Sequence, residues 1–196
     1  EKADIVIPIL DAEVEKLVEN KDSFAKMGVI VAADNLAAIK ICNDKYQTRA
    51  HLSGYGRRVN FYSQSDVRKT VPKFPVFIKP RFGVSSRDCY LAANRAELEF
   101  FLKKVKHPVI EEFLIGDKYV IDIVNDLQGR NLVSIPRREF EAKAGVGVRS
   151  EVVKDESLIR FGQDVSQALK IIGPCNVEVF KKGKNIFLIE VNSRFS

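Results

Sequence analysis

The order of strand-like segments in the second half of the sequence constrains the fold more than any other feature. From Pro108 onward, apolar runs follow one another with short turns between them, except for one helical stretch at 156–172. These runs are 108–114, 119–126, 131–142, 175–182 and 185–193. Strands joined in this way pair antiparallel, because a parallel pair needs a long crossover connection. The sequence therefore predicts an α+β body after residue 108.

The first part of the chain alternates short strands with helices, which is typical of an α/β unit. A strand is predicted at 4–10, followed by a helix at 11–28 that ends at Gly28. A second helix is predicted over 36–56. Lys45 lies inside this second helix, where a lysine is ordinarily exposed. We therefore expect an α/β beginning joined to an α+β body.

The composition is that of an ordinary globular protein, with 45% hydrophobic and 30% charged residues. No apolar run approaches the ~20 residues that a membrane span needs, so no membrane partner is expected. The three cysteines, Cys42, Cys89 and Cys175, are isolated, which favours a reducing cytoplasm over a disulfide framework. The chain opens on a strand and stops after a polar row, so we expect it to be part of something longer.

The net charge of +6 suggests a polyanionic partner, and its distribution narrows the choice. The basic residues occur in scattered pairs with acids between them, and no stripe of basic and aromatic residues is present. Nucleic acid is therefore disfavoured as the main partner, and the phosphates of a small ligand are favoured.

The last strand-like segment carries a row of polar side chains. Glu190, Asn192 and Arg194 stand at alternate positions, so they share one face of a strand. A hard divalent cation bound by carboxylate and amide, with an arginine on phosphate oxygens, explains this row. A solvated sheet face with alternating charges explains it about equally well.

The two segments before the end form a predicted hairpin that adds a second acid to this row. A three-residue loop at 183–185 pairs Phe180 with Leu188 and places Glu178 opposite Glu190. Like charges directly opposite each other repel. We therefore expect a repulsion in the unliganded protein that only a cation such as magnesium relieves.

Charged residues also stand at two apolar strands nearer the middle of the chain. Lys79 ends the strand 75–80, and the small-residue loop that follows could hold a phosphate, although an ordinary hairpin explains the pattern as well. Glu111 and Glu112 interrupt another apolar run, where burial is costly unless the acids are used. The alternative there is an edge strand with one acid facing water.

Together and in this order, the segments resemble the ATP-grasp superfamily, and within it the carbamoyl-phosphate-synthase large-subunit-like and carboxylate–amine ligase branch. The segments that carry the resemblance are "CNDKYQT", "FPVFIKPRFGVSS", "VIEEFLIGDKYVIDIV", "RREFEAKAGVGVRSEVV", "CNVEVF" and "FLIEVNSRFS". They span roughly residues 42–196, and "ADIVIPILDAE" looks like the late part of the α/β domain that precedes the grasp. The final motif with its upstream acid is the most specific of these.

The resemblance implies an ATP-grasp fold, in which two α+β subdomains clasp ATP, preceded by part of a Rossmann-like domain. It implies that residues 1–43 are the C-terminal part of that preceding domain and that 44–196 are the ATP-grasp domain. The lid subdomain is expected at about 73–112 and the catalytic subdomain at about 113–196, with the latter truncated.

The resemblance also implies roles for individual residues. The ATP-binding positions are Lys45, Lys79, Arg81, Ser85, Ser86, Glu111, Glu112, Phe113, Leu114 and Asp117. The metal-binding positions are Glu178, Glu190 and Asn192, and the catalytic positions are Arg194, Lys143 and Arg149. Within these sets, Lys45 and Lys79 match the lysines on the α- and β-phosphates, 81–88 match the lid, and 111–114 match the adenine-binding hinge. The family usually has a ribose-binding glutamate where this chain has Lys118.

The implied activity is that of an ATP- and Mg²⁺-dependent ligase, in which Mn²⁺ can substitute for magnesium. ATP would phosphorylate a small carboxylate, and an amine or similar nucleophile would displace the phosphate. A homodimer is compatible with this activity. The alternative is a non-catalytic ATP-binding or regulatory module, which Lys118 favours and the polar row of the last strand opposes.

Overall fold

The computed structural model describes residues 3–33, 36–70, 72–83, 86–143 and 146–195, and only the backbone of residues 142, 143 and 146. Three sheets organise these residues: a parallel pair of strands, a four-stranded sheet and a five-stranded sheet. The two larger sheets are antiparallel throughout. The antiparallel body predicted from the sequence is therefore confirmed.

The N-terminal unit packs four helices near the parallel pair. Its elements are β1 (Ile5–Val6), α1 (Asp11–Glu19), α2 (Lys21–Lys26), β2 (Ile30–Val31), α3 (Leu36–Asn43) and α4 (Lys45–His51). Its small core contains Val14, Val31, Ala33 and Ile39. Leu17, Val18 and Phe24 pack against this core, and Cys42 of α3 joins the largest core of the molecule, so apolar contacts on two sides fix the unit.

Both long helices predicted in this unit are interrupted. The first breaks at Asn20, which separates α1 from α2. The second breaks at Asp44, whose Oδ1 accepts hydrogen bonds from the backbone N–H of Tyr46 and Gln47 and so caps α4. Lys45 therefore occupies the first turn of a new helix instead of the middle of a long one.

The four-stranded sheet has the spatial order β3-β6-β4-β5. Its elements are β3 (Phe61–Tyr62), α5 (Gln64–Lys69), β4 (Val76–Pro80), β5 (Tyr90–Ala92), α6 (Arg95–Lys104) and β6 (Pro108–Glu112). Val76 and Ile78 of β4 pack against Leu98 and Leu102 of α6 in its core. The residues between them, Phe77 and Lys79, face the opposite side of the sheet, because side chains alternate along a strand.

The five-stranded sheet has the order β11-β10-β7-β8-β9. Its elements are β7 (Asp117–Asn125), β8 (Asn131–Lys143), β9 (Val146–Val152), α7 (Glu156–Ala168), β10 (Pro174–Lys182) and β11 (Asn185–Asn192). The strand β9 falls in a segment to which the sequence pattern assigned no structure. Within the described residues, no helix has the length and apolar character to cross a membrane.

Helix α7 covers one face of this sheet and forms the largest core with it. Leu158, Phe161 and Val165 of the helix are buried against apolar side chains of β7 and β10. Gly162 lies at the closest approach, where an added Cβ would stand 2.7 Å from Ile121 Cγ2. The other face of the sheet is left for charged residues.

We expect Gly162→Ala to lower the free energy of unfolding by about 1–3 kcal/mol, because the new methyl group overpacks the contact with Ile121. The gain in helix propensity, about 1 kcal/mol, offsets part of this loss. Urea denaturation would measure the change. Gln167→Ala, on the exposed face of α7, is the matched control and should leave stability nearly unchanged. Equal free energies of unfolding in the two variants would contradict the close contact at Gly162.

Candidate functional site

A cavity of about 180 Å³ lies between the two larger sheets. Its walls come from β4 and the loop that follows, the first turn of α4, β7, β10 and β11. The lining residues are Lys45, Phe77, Lys79, Pro80, Gly83, Ser86, Arg87, Cys89, Lys118, Glu178, Phe180, Ile189 and Glu190. Cationic side chains outnumber carboxylates among them, so the cavity suits an anionic ligand.

The pair of acids predicted from the closing hairpin is present on one wall. Glu178 of β10 and Glu190 of β11 are direct partners in the antiparallel register. Lys45 Nζ lies 3.1 Å from Glu190 Oε1, and Lys118 Nζ lies 3.0 Å from Glu178 Oε2. The expectation that only a metal relieves the repulsion is therefore wrong, because in this structure two ammonium groups neutralise the carboxylates.

The hairpin reaches this pairing by a different route from the predicted one. The turn contains two residues, 183–184, so Phe180 pairs with Phe187 and not with Leu188 as predicted. The register then shifts, and Ile189 is the extra residue of a β-bulge on β11. The bulge compensates for the shorter turn, which is why the two acids still face each other.

Lys118 of β7 contacts two acids, one on each of the strands that flank β7. Besides Glu178, its Nζ contacts Glu139 Oε1 of β8 at 2.9 Å. Burial by itself lowers the pKa of Lys118, but the two carboxylates outweigh it and raise the pKa above its ordinary value. The pKa of Glu178 is also raised, because burial and the charge of Glu190 together exceed the opposing effect of Lys118.

Lys79, on the opposite wall, belongs to a buried charge cluster. Its Nζ lies 2.9 Å from Glu111 Oε2, and Arg49 Nη2 lies 3.0 Å from Glu111 Oε1. Both Lys79 and Glu111 are buried, at 4% and 5% exposure. Burial alone raises the pKa of Glu111, but the two cations outweigh it and hold the pKa below its ordinary value. Glu111 thus positions the two cations.

Glu112 has different surroundings from its neighbour. It is half-buried, and its Oε2 accepts a hydrogen bond of 2.6 Å from Asn60 Nδ2. The strand β6 that carries both acids lies inside the sheet, between β3 and β4. The alternative of an edge strand is therefore wrong, although one acid does lie nearer the surface.

The loop after β4 is connected to the N-terminal unit by two cations. Arg81 donates to both carboxylate oxygens of Asp44, with distances of 2.8 and 2.6 Å. Lys45 Nζ donates to the backbone carbonyl of Gly83 at 3.0 Å. Ser86 lines the cavity, whereas Ser85 lies outside the described residues. Arg81 therefore supports the loop through Asp44 in this structure.

Asn192 provides an amide next to the acid pair. Its Nδ2 donates to Asn176 Oδ1 at 2.9 Å and lies 3.4 Å from Glu178 Oε1. With Nδ2 held in this way, its Oδ1 has no hydrogen bond within the described ranges. Nowhere in those ranges do three His, Cys, Asp or Glu side chains converge to hold a metal ion. Two carboxylates and an amide oxygen nevertheless fit a hard divalent cation such as magnesium.

A second cavity of about 370 Å³ adjoins the first and shares Gly83 and Glu190 with it. Asp11 and Asn192 also line this neighbouring cavity. Arg194 Nε donates to Asp11 Oδ1 at 2.8 Å, so this predicted catalytic residue contacts the wall of the second cavity instead of the first. The pair of cavities offers space for two ligands side by side.

Among the side chains that the structure describes, the remaining predicted site residues do not line either cavity. Phe113 and Leu114 follow β6, and Asp117 Oδ1 accepts a hydrogen bond of 2.6 Å from Arg138 Nη2. Arg149 is exposed on β9, with its guanidinium 5.7 Å from the ring centre of Phe140. The side chain of Lys143 lies outside the described residues. The roles of these residues stay predictions.

The sequence did not predict several residues of the site, among them Arg49, Glu139, Asn176 and Cys89. Arg49 stands one helical turn after Lys45 in α4, a spacing that puts both on one helix face and could have indicated a shared role. Glu139 in β8 and Asn176 in β10 have no comparable spacing in the sequence that indicates a role. Cys89 lines the cavity, but burial raises the pKa of its thiol, so it is not an activated nucleophile.

The fold and the site define a class of protein in which two antiparallel sheets enclose a cavity with lysines on both walls and an acid pair on one. A model of the ATP-grasp domain family matches residues 42–196, so the chain belongs to that family. The resemblance inferred from the sequence motifs is therefore confirmed, and with it the ATP-grasp fold.

Three comparisons illustrate the likeness. The chain is 26% identical over 198 residues to the carbamoyl phosphate synthase large chain of Agathobacter rectalis, covering 89% of this chain and 18% of that protein. It is 28% identical over 138 residues to the D-alanine–D-alanine ligase of Fusobacterium nucleatum, covering 63% and 47%. The crystal structure of a biotin carboxylase β-γ-ATP complex from Campylobacter jejuni superposes with a TM-score of 0.83 at 16% identity, covering 99% of this chain and 49% of that chain. The chain thus spans less than a fifth of the first relative and about half of the second.

Proposed function

We propose that this chain binds Mg²⁺-ATP and contributes to a ligase that activates a small carboxylate as an acyl phosphate for attack by an amine. The observation that carries the proposal is the cavity with Lys79 on one wall and Lys45, Glu178 and Glu190 on the other. Lysines and a cation-binding acid pair facing each other are the groups that a polyphosphate requires. The similarity to a carbamoyl phosphate synthase and a D-alanine–D-alanine ligase supports the same reaction class.

The proposed roles follow from the contacts in the unliganded protein. Lys45 and Lys79 would bind phosphate oxygens, for which Lys45 has a third N–H besides those directed at Glu190 and Gly83. Glu190 and Asn192, with Glu178 beside them, would hold a magnesium ion that neutralises charge on the phosphates. Segment 111–114 would contact the adenine base. Phosphoryl transfer needs positioning and charge neutralisation more than a protein nucleophile, which agrees with the inert thiol of Cys89.

The reaction is a sequence of two displacements. An oxygen of the carboxylate substrate would attack the γ-phosphorus of ATP and release ADP, which leaves an acyl phosphate. The amine would then attack the acyl carbon and release inorganic phosphate, with a proton lost from the nitrogen. Arg194 would act at the second cavity, where Asp11 holds it next to the space for the carboxylate.

Replacing Lys79 by methionine tests the nucleotide site directly. The change keeps the length of the side chain but removes the charge, and we expect Mg²⁺-ATP affinity to fall about ten- to a hundredfold. The measurement is calorimetric titration at low temperature, with circular dichroism to verify the fold, because Glu111 loses one of its two cations. Lys73→Met, at an exposed position before β4, should bind like the parent. Equal affinity of all three proteins would contradict the assignment.

The competing hypothesis is a non-catalytic module that binds ATP without turnover, and the contact of Lys118 with Glu178 favours it. Release of ADP and phosphate, screened over small carboxylates with and without amines, separates the two hypotheses. Turnover that depends on an acid supports the ligase. Tight nucleotide binding without turnover would favour the non-catalytic module.

The identity of the substrates, a homodimer and a cytoplasmic location stay predictions.

A further inference from the structure

The ammonium group of Lys118 lies against Glu178, one acid of the pair, at the wall of the cavity. Lys118 belongs to β7, the central strand of the five-stranded sheet, with β10 on one side and β8 on the other. Its Nζ lies 3.0 Å from Glu178 Oε2 and 2.9 Å from Glu139 Oε1, and it lines the cavity. One ammonium thus neutralises an acid of the pair and a second acid behind it.

Packing holds the acid behind Lys118 in place. Glu139 has only 6% of its side chain exposed. A Cβ added at Gly147 of β9 would lie 2.5 Å from Glu139 Oε2, so the neighbouring strand closes the space on that side. If Lys118 swung away, Glu139 would remain as a buried carboxylate without that partner, which is costly. Lys118 is therefore an anchored cation and not a surface lysine that a metal ion easily displaces.

The other acid of the pair has a more replaceable partner. Lys45 Nζ, which contacts Glu190, also donates to the carbonyl of Gly83, so its lost contact with Glu190 can be exchanged for one with a phosphate oxygen. Asn192 adds an amide oxygen next to Glu190 in the second cavity. The two acids therefore differ: Glu190 can exchange its lysine for a divalent ion, whereas Glu178 keeps its ion pair with Lys118.

We propose that Lys118 acts as a built-in cation at Glu178, so that the site binds one divalent ion per nucleotide, held mainly by Glu190 and Asn192, instead of two. This inference rests on the proposed Mg²⁺-ATP site. A divalent ion near Glu178 would meet the full positive charge of Lys118 at close range, where repulsion in a partly buried site is strong. The ammonium supplies part of the neutralisation that a second metal ion would supply.

Manganese provides a direct count, because bound and free Mn²⁺ differ in their electron paramagnetic resonance signals. We expect the parent to bind one Mn²⁺ per bound molecule of adenylyl imidodiphosphate, a non-hydrolysable ATP analogue. Lys118→Met combined with Glu139→Gln removes one positive and one negative side chain together, so the net charge of the protein is unchanged. This double variant should bind two Mn²⁺ per nucleotide. Lys184→Met, in the exposed hairpin turn, is the control and should bind one.

A second titration uses Mn²⁺ alone and does not depend on nucleotide binding. Without nucleotide, the double variant should bind Mn²⁺ at the acid pair at least about tenfold more tightly than the parent does, because the competing ammonium is gone. Two Mn²⁺ per nucleotide in the parent, or equal Mn²⁺ affinity of parent and double variant, would overturn the role of Lys118. Failure of the parent to bind the nucleotide would instead refute the proposed function, and the nucleotide-free titration would still decide the inference.

Discussion

Replacing Glu111 by glutamine is expected to lower the free energy of unfolding by about 3–5 kcal/mol. The change removes the carboxylate that neutralises both the buried Lys79 and the half-buried Arg49. Lys79 and Arg49 each make an ion pair with a different oxygen of Glu111. A neutral amide cannot neutralise either cation, so both remain desolvated without compensation. Denaturation in urea at neutral pH would measure the loss.

The effect of pH on the parent has a definite sign. Because the pKa of Glu111 is lowered in the folded protein, its contribution to stability is complete above the pKa of the unfolded chain, about 4.3. The contribution is then lost as the pH falls from there through the lowered pKa of the folded state. The difference in stability between the parent and Glu111→Gln should therefore shrink in acid.

Glu112→Gln provides the matched control one residue away. Glu112 bonds Asn60 on the other face of β6 and contacts no cation in the described residues, so its replacement should cost about 1 kcal/mol or less. If Glu111→Gln proved as mild as this control, the charge cluster on β6 would contribute nothing beyond a solvated ion pair.

The second large effect is expected at Glu190. At a hundred times its dissociation constant, Mg²⁺-ATP should stabilise the parent by about 2.7 kcal/mol, which raises the melting temperature by roughly 5–10 °C for a chain of this size. In Glu190→Gln this rise should nearly vanish, because a neutral amide beside Asn192 holds a divalent cation much more weakly than the carboxylate does. Turnover, where the parent shows it, should be lost as well.

The unliganded form of this variant should also be less stable than the parent. Lys45 is buried, and its ammonium pairs with Glu190, so the neutral variant leaves a charge without its counterion at a cost of about 1–3 kcal/mol. The sequence alone indicated the opposite sign, since it placed the two acids together without their lysines. Melting curves with and without Mg²⁺-ATP test both parts. Glu19→Gln, exposed at the end of α1, should behave as the parent; an undiminished ATP-induced rise in Glu190→Gln would exclude a shared metal site.

The antiparallel body was predictable because its strands are long and their turns are short. Glu178 and Glu190 were correctly paired, yet only because the shorter turn and the bulge at Ile189 cancel each other. A period of two identifies the face of each strand, but it carries no information on where an extra residue enters. Bulges depend on packing across the sheet, which a single segment does not encode.

The breaks in the long helices could not be predicted for a related reason. Asp44 is a suitable N-cap residue by type, but the apolar period continues through it, and its other partner, Arg81, lies 37 positions later. The partners of Lys118 and Lys79 are likewise distant in sequence, on β8, β10 and β6. The domain boundaries, including the one near residue 43 and the lid limits of 73 and 112, stay predictions, as does the Rossmann-like part before them.

Lys45 contacts both Glu190 and the carbonyl of Gly83. Glu190 therefore competes with any bound phosphate for the ammonium group of Lys45. A phosphate that binds this ammonium competes with a carboxylate tethered to the same molecule, whose effective concentration is on the order of millimolar or higher. The carboxylate recaptures Lys45 as soon as the phosphate leaves. Such an internal competitor lowers the affinity of the site for a phosphate, compared with a site whose lysine has no carboxylate partner.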